Sequence, residues 1–280
     1  MPQIIEIGFS PCPNDTFIFD ALVNNKIDTG DFTFKPILED VETLNRFALQ
    51  QRLPITKLSY GVFPLVLDKY ALLDAGSALG SGVGPLLIRN KDFSLANFSK
   101  YKIAIPGEHT TAHLLFTMAY PEFTNKVFMR YDQIEQFVLE NRGIGVIIHE
   151  NRFTYKAKGL AKISDLGHYW ETKTGMPIPL GGIMIDKDIE ASKQLAINRL
   201  IRQSIEFAYM NYPRLPEFVT INAQEMKEEV MRQHIDLYVN KFSLSLTREG
   251  REAVQLLLNV YAKMHDISNP DPPVFIYEDV

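Results

Sequence analysis

Apolar and polar positions along the chain switch between two periods, one suited to strands and one to helices. Residues 4–9 (IIEIGF) form a short apolar run that predicts a buried strand. Thr16–Asn25 then places Phe17, Ala21 and Leu22 on one helical face, and Phe32–Leu38 returns to partial alternation. Asp40 precedes VETLNRFALQQ, in which Val41, Leu44, Phe47 and Ala48 share a face, so Asp40 reads as a helix N-cap. Ile55–Leu58 predicts a third strand, closed by a Ser-Tyr-Gly turn and a short helix. This β-α-β-α-β opening predicts a mostly parallel sheet.

A Gly-rich loop, GSGVGP (80–85), then runs into the strand-like LLIRN, and the polar stretch KDFSLANFSKYK interrupts the pattern. After it the order starts again: strand Lys102–Ile105, helix Thr111–Ala119, strand Val127–Tyr131, helix Gln133–Glu140, strand Gly145–Ile148. PIPLGGIMIDKD predicts another strand, whose glycines suggest a bulge or a close backbone approach. Beyond it the pattern is helical only: Ile189–Met210, Ala223–Asn240 and Thr247–His265, the last with Ala253, Leu256, Leu257, Val260 and Tyr261 on one face. The order predicts an α/β protein of two lobes. Residues 1–88 with 186–280 would form one and 92–178 the other, with hinge crossings near 86–90 and 180–185. Two extended crossings place a ligand cleft between the lobes, the layout of a periplasmic-binding-protein-like (type II) fold. One continuous doubly wound sheet is the alternative.

Composition narrows the function classes. Of 280 residues, 46% are hydrophobic, enough for a sizeable core. The formal charge of -5 and the absence of a Lys/Arg block argue against a nucleic-acid partner. No apolar run is long enough to span a membrane. The segment MPQIIEIGFSPCPNDTF lacks the basic and apolar blocks of an export signal, which predicts a cytoplasmic protein. Cys12 is the only cysteine, so neither an intramolecular disulfide nor a multi-cysteine zinc site can form.

Residues able to do chemistry collect in loops after the predicted strands. SPCPNDTF (10–17) is a proline-stiffened turn in which Asn14 or Asp15 can cap the next helix. It also lies where open α/β sheets bind ligands, beside free helix N–H groups. Cys12 has no neighbouring cation in sequence to activate it, and an inert buried thiol is the stronger reading. Ser59 is either a ligand-facing hydroxyl or one satisfied by its own turn. GSGVGP matches neither a Walker loop nor a dinucleotide fingerprint and reads as a place of close backbone approach. In PGEHTTAHLL (106–115), Thr110 and Thr111 can cap a helix and present hydroxyls to the cleft. His109 and His113 stand four apart but straddle the helix start, so a metal site is not expected there. GVIIHENRF puts His149 at a strand end, where an imidazole can move a proton near neutral pH. The plainer reading is a satisfied structural histidine. Glu150 and Asn151 are the neighbours available to orient its ring, although strand alternation would turn Glu150 the other way.

In order along the chain, SPCPNDTFIFDALV, DVETLN, TKLSYG, GSGVGPLL, IAIPGEHTTAHLL, GVIIHENRFTY and the IPLGGI crossing resemble the 1,4-dihydroxy-6-naphthoate synthase family of the futalosine route to menaquinone. The matches run from residue 4 to about 186. The resemblance implies a lyase that splits cyclic dehypoxanthine futalosine into 1,4-dihydroxy-6-naphthoate and a sugar-derived fragment, with no metal or redox cofactor. It implies His149 as the base, with Ser59, Thr110 and Thr111 around the ligand. Asn14, Asp15 and Asn45 are added as further substrate-binding candidates. The implied partner is a small molecule, and the oligomeric state stays open, a homodimer included. Chorismate dehydratase of the same pathway is the nearest alternative, although it has an Asn-Thr-Lys-Pro-like loop where this chain has SPCPNDTF. A non-catalytic cytosolic binding protein is the other.

Overall fold

The computed structural model describes residues 2–92, 101–224, 227–268 and 274–276. In β1 (Gln3–Phe9), Ile5, Ile7 and Phe9 face one apolar cluster, while Gly8 faces Leu44 and Leu53 on the other side. α1 (Pro13–Val23) leads to β2 (Phe32–Leu38), and α2 (Val41–Leu49) leads to β3 (Ile55–Ser59); β2 and β3 flank β1 in parallel. Asp40 caps α2 by accepting from the N–H groups of Glu42 and Thr43. Two short strands, β4 (Tyr70–Leu72) and β5 (Ala78–Gly80), complete this stretch.

The chain then enters a second sheet. It runs β6 (Leu86–Asn90), β7 (Ile103–Ile105), α3 (Thr111–Ala119), β8 (Lys126–Phe128), α4 (Ile134–Leu139), β9 (Ile144–Ile147), α5 (Asn151–Thr154), β10 (Leu160–Asp165) and α6 (Leu166–Thr174). It returns to the first sheet as β11 (Ile178–Asp186) and finishes in α7 (Ala191–Asn211), α8 (Glu217–Asn222), α9 (Glu228–Tyr238), α10 (Lys241–Leu244) and α11 (Thr247–His265). The strand orders are β2-β1-β3-β11-β4, with β5 also on β11, and β10-β6-β9-β7-β8.

The expected mostly parallel sheet is corrected. β11 runs antiparallel to β3, β4 and β5, and β6 runs antiparallel to β9 and β10. Both are strands that enter a sheet from the other one. They are not joined to a neighbour by a helix packed on the same sheet, so the geometry that forces parallel pairing does not bind them. The crossings expected near 86–90 and 180–185 fall inside β6 and β11, and the chain passes between sheets at 81–85 and 175–177. The strand expected to reach Tyr131 ends at Phe128, before a 3-10 turn at Tyr131–Gln133. The helix expected from Ala223 starts at Glu228. Much of the polar stretch before Lys102 lies outside the described residues. β10 and α6 carry no clear period in sequence, because β10 is a half-exposed edge strand and α6 buries only Leu166, Gly167 and Trp170.

Two apolar clusters flank the first sheet. One joins Ile7 and Phe9 to α1, α7 and α9 through Phe17, Ile201 and Ile235. The other runs from Leu58, Tyr60 and Leu72 on to Ile105, Leu115 and Trp170, so it is continuous between the two sheets. The segment 274–276 lies along β4, with Leu72 N–H donating to the Val274 carbonyl and Ile276 N–H to that of Leu72. Among the described residues no helix is long and apolar enough to cross a membrane.

Of the glycines of GSGVGP, Gly84 makes the close approach, whereas a Cβ on Gly82 would meet nothing within 4 Å. A Cβ on Gly84 would lie 2.3 Å from Cα of Gly167 at the start of α6. Arg152 donates to the carbonyls of Gly82 and Gly84 and pairs with Asp165, fixing the loop. Gly84→Ala should destabilise the protein by about 1–3 kcal/mol through this overpacking. A urea midpoint indistinguishable from that of the parent would contradict the close approach.

Candidate active site

A cavity of about 100 Å³ is lined from both sheets. Ser10, Asn14 and Asp15 come from the β1–α1 junction, Lys57 and Ser59 from β3, Thr110 and Thr111 from the start of α3, and His149 from the turn after β9. His234 and Tyr238 of α9 complete that wall.

Asn14 and Asp15 do not cap α1. Its N-cap is Cys12, which makes no side-chain cap bond. The Asp15 carboxylate instead turns back and accepts from Ser10 N–H at 3.2 Å and Ser10 Oγ at 2.7 Å. Asn14 Nδ2 donates to its Oδ1 at 2.8 Å, and Lys57 Nζ lies 3.3 Å from the same oxygen. Lys57 is buried and donates to the Gly76 carbonyl at 2.6 Å. A buried ammonium is tolerable only with such partners. Asn14 Oδ1 has no partner and remains an acceptor at the cavity wall.

Asn45 is fully buried and braces the residues around the cavity, without lining its wall. Its Nδ2 donates to Ser59 Oγ at 3.1 Å and to the His109 carbonyl at 3.2 Å, and its Oδ1 accepts from Ser59 N–H at 3.0 Å. Ser59 is therefore positioned from α2, not satisfied by its own turn. Thr110 caps α3 by accepting from His113 N–H at 3.2 Å, and its hydroxyl donates to Gly107. Thr111 Oγ1 donates to the Leu180 carbonyl at 2.7 Å and accepts from Gly61 N–H at 3.0 Å. Both threonine protons are committed to the protein. What this corner offers a ligand is the unpaired N–H groups of the first helical turn.

His149 follows the end of β9 and has φ +57°, a left-handed conformation that non-glycine residues seldom adopt. That turn breaks the strand alternation, so Glu150 is buried on the same side rather than pointing away. Neither Glu150 nor Asn151 is found hydrogen-bonded to the ring. Packing holds it, with Tyr131 edge-on at 4.9 Å and His234 stacked at 6.1 Å between centroids. Nε2 of His149 has no hydrogen-bond partner. Burial pushes the imidazole below its ordinary 6.5, against the opposing pull of Glu150 and Asp15, so the ring is neutral at neutral pH. Burial likewise raises the Cys12 thiol, which keeps it protonated and a poor nucleophile. His109 and His113 share no site: His109 N–H bonds Glu42, while the His113 ring meets the Glu108 carbonyl and Lys126 Nζ.

Lys57, His234 and Tyr238 escape a sequence reading. Lys57 is the one charged residue in the buried strand ITKLS, which is its faint signal. His234 shares the apolar face of α9 with Met231, Ile235 and Tyr238, where a histidine reads as core.

A family profile described as menaquinone biosynthesis matches residues 5–263. The chain belongs to this family. A Thermus thermophilus 1,4-dihydroxy-6-naphthoate synthase is 41% identical over 98% of this chain and 100% of its own length. A Streptomyces coelicolor protein of the same name is 38% identical over 91% of each. A crystal structure from Archaeoglobus fulgidus superposes with TM-score 0.87 at 32% identity, covering 94% of this chain and 98% of that one. A Candida albicans protein described as having the generic periplasmic binding protein fold superposes with TM-score 0.68 at 11% identity, over 99% of each chain. The fold is thus the two-lobed, periplasmic-binding-protein-like one, and its resemblance to family members extends through the helical tail.

Asp15→Ala should cost about 3–5 kcal/mol, because it strands the buried Lys57 ammonium. Equilibrium denaturation measures this, and a loss below about 1 kcal/mol would mean that the pair is not a structural requirement.

Proposed function

We propose that this chain is a lyase that converts cyclic dehypoxanthine futalosine to 1,4-dihydroxy-6-naphthoate, with His149 as the general base. Two relatives bearing that synthase name support the reaction, and neither bears the name of the dehydratase alternative. The observation that carries the residue assignment is the His149 Nε2 atom, unpartnered on a ring kept neutral by burial and lining the cavity. A neutral imidazole with a free lone pair accepts an acidic substrate proton, the sugar-derived fragment departs, and aromatisation drives the change. Asp15 and Glu150 then stabilise the imidazolium.

The substrate carboxylate belongs at the N-terminus of α3. The first turn of α1 already holds the Asp15 carboxylate, whereas that of α3 contains no acidic side chain. Helix N–H groups and the helix dipole favour an anion there. Residues 1–88 with 186–280 and residues 92–178 would act as lobes that close on the substrate. The setting is cytoplasmic and involves no nucleic acid.

Purified protein incubated with cyclic dehypoxanthine futalosine, without added metal or cofactor, should release 1,4-dihydroxy-6-naphthoate detectable by mass. Binding without conversion would indicate a receptor, and neither would direct the same assay to chorismate. His149→Asn should retain substrate binding and lose about 10²–10⁴-fold in turnover, the usual contribution of a general base.

The pH profile provides a second check. The neutral ring is the active form, so kcat/KM should fall toward acid with an apparent pKa below 6.5. An acid limb centred above 6.5, or one unchanged in His149→Asn, would remove His149 from the mechanism.

A further inference from the structure

Cys12 has no part in the reaction above, yet it has reactive neighbours. Its Sγ, a ring nitrogen of His149 and a carboxylate oxygen of Glu150 all lie within 4.8 Å of one another, the one such group of three among the described residues. They come from the β1–α1 junction and from the turn after β9, and the left-handed His149 brings them together. Cys12 is 3% exposed and Glu150 is 5% exposed. Oε2 of Glu150 and Nε2 of His149 both lack a hydrogen-bond partner. A buried carboxyl oxygen left without a partner carries an uncompensated desolvation cost. A cation among the three donors removes that cost.

Thiolate, imidazole and carboxylate are the ligand types of zinc and similar ions. Bonds of about 2.0–2.3 Å in tetrahedral geometry set donors about 3.3–3.8 Å apart, so this trio needs to draw in by about 1 Å. A second cavity, of about 150 Å³, reaches Cys12 and His149 and has Glu39 and Asp40 on its wall. Arg130, also on that wall, is already paired with Asp132 at 2.8 Å. Behind the trio, Nε2 of the fully buried His234 stands 3.8 Å from Glu150 Oε2, beyond hydrogen-bond distance, so the carboxylate oxygen stays free for a cation.

We propose that Cys12, His149 and Glu150 bind a divalent cation of the zinc type, and that filling this site stops turnover by occupying the lone pair of His149. On binding, the Cys12 S–H bond breaks, a sulfur–metal bond forms and the proton leaves to solvent; nothing is oxidised or reduced. The binding half stands on geometry alone. The inhibition half rests on His149 being the base.

The test is a Co²⁺ titration of the full, untagged chain without substrate, followed by Zn²⁺ displacement. Cys12 is the only cysteine, so a thiolate-to-cobalt charge-transfer band in the near ultraviolet reports it directly. A saturable band of one cobalt per chain is expected, absent in Cys12→Ser and shifted at least about tenfold to weaker binding in Glu150→Gln. Zn²⁺ should stop turnover of the parent, a chelator should restore it, and Cys12→Ser should keep turning over at the same Zn²⁺ concentration. No band in the parent at saturating Co²⁺ overturns the site without recourse to any variant. Equal Zn²⁺ affinity in parent and Cys12→Ser overturns it too. A site that fills while turnover continues overturns the inhibition and the base assignment together. Metal-free protein that does not turn over overturns the proposed reaction, and the inhibition with it, and leaves the binding result standing.

Discussion

The Thr111 hydroxyl is bonded on both sides: it donates to the Leu180 carbonyl on β11 and accepts from Gly61 N–H after β3. Through it the start of α3 is seated on β11 and on the turn after β3 of the first sheet. Gly61 has no alternative there, since a Cβ would lie 2.6 Å from the Thr110 carbonyl. Alongside, Asn45 donates to the His109 carbonyl and Glu42 accepts from His109 N–H. These bonds set the position of one cavity wall relative to the other. Each contributes about 0.5–1.5 kcal/mol.

On the first-sheet side of that seam the cavity is built around a buried charge pair. Lys57 and Asp15 are held by Ser10, Asn14 and the Gly76 carbonyl, so the floor is polar but close to electroneutral. The helix termini then differ. The first turn of α1 carries an acidic side chain, Asp15, and that of α3 carries none.

Around His149 the arrangement is strained and incompletely satisfied. His149 sits in the left-handed region, and His149, Glu150 and His234 each hold a buried atom without a hydrogen-bond partner. Such features lower stability and persist where surrounding packing enforces them, here between Tyr131 and His234. An unpaired imidazole nitrogen is what a base requires. The same freedom leaves it open to a competing cation.

Local sequence determined which segments pair with water and which with the core. The apolar run at 4–9, the Asp40 cap, the Thr110 cap and the amphipathic face of α11 are all set by neighbours within a turn or two, and all appear where the pattern puts them. The ordered motifs also sufficed to place the chain in its family, and six of the seven residues named for the site line the cavity. Tertiary structure alone decided the rest. Asn45 became a brace because His109, far along the chain, came within 3.2 Å. Glu150 turned inward because His149 left the strand conformation, and His234 reached the site because α9 packs there. β6 and β11 run antiparallel because they arrive from another sheet. Periodicity records how a residue meets its sequence neighbours and whether it is buried. It contains nothing about which distant group it will be buried against, and the charge pair, the seam and the unpaired imidazole are all contacts of that second kind.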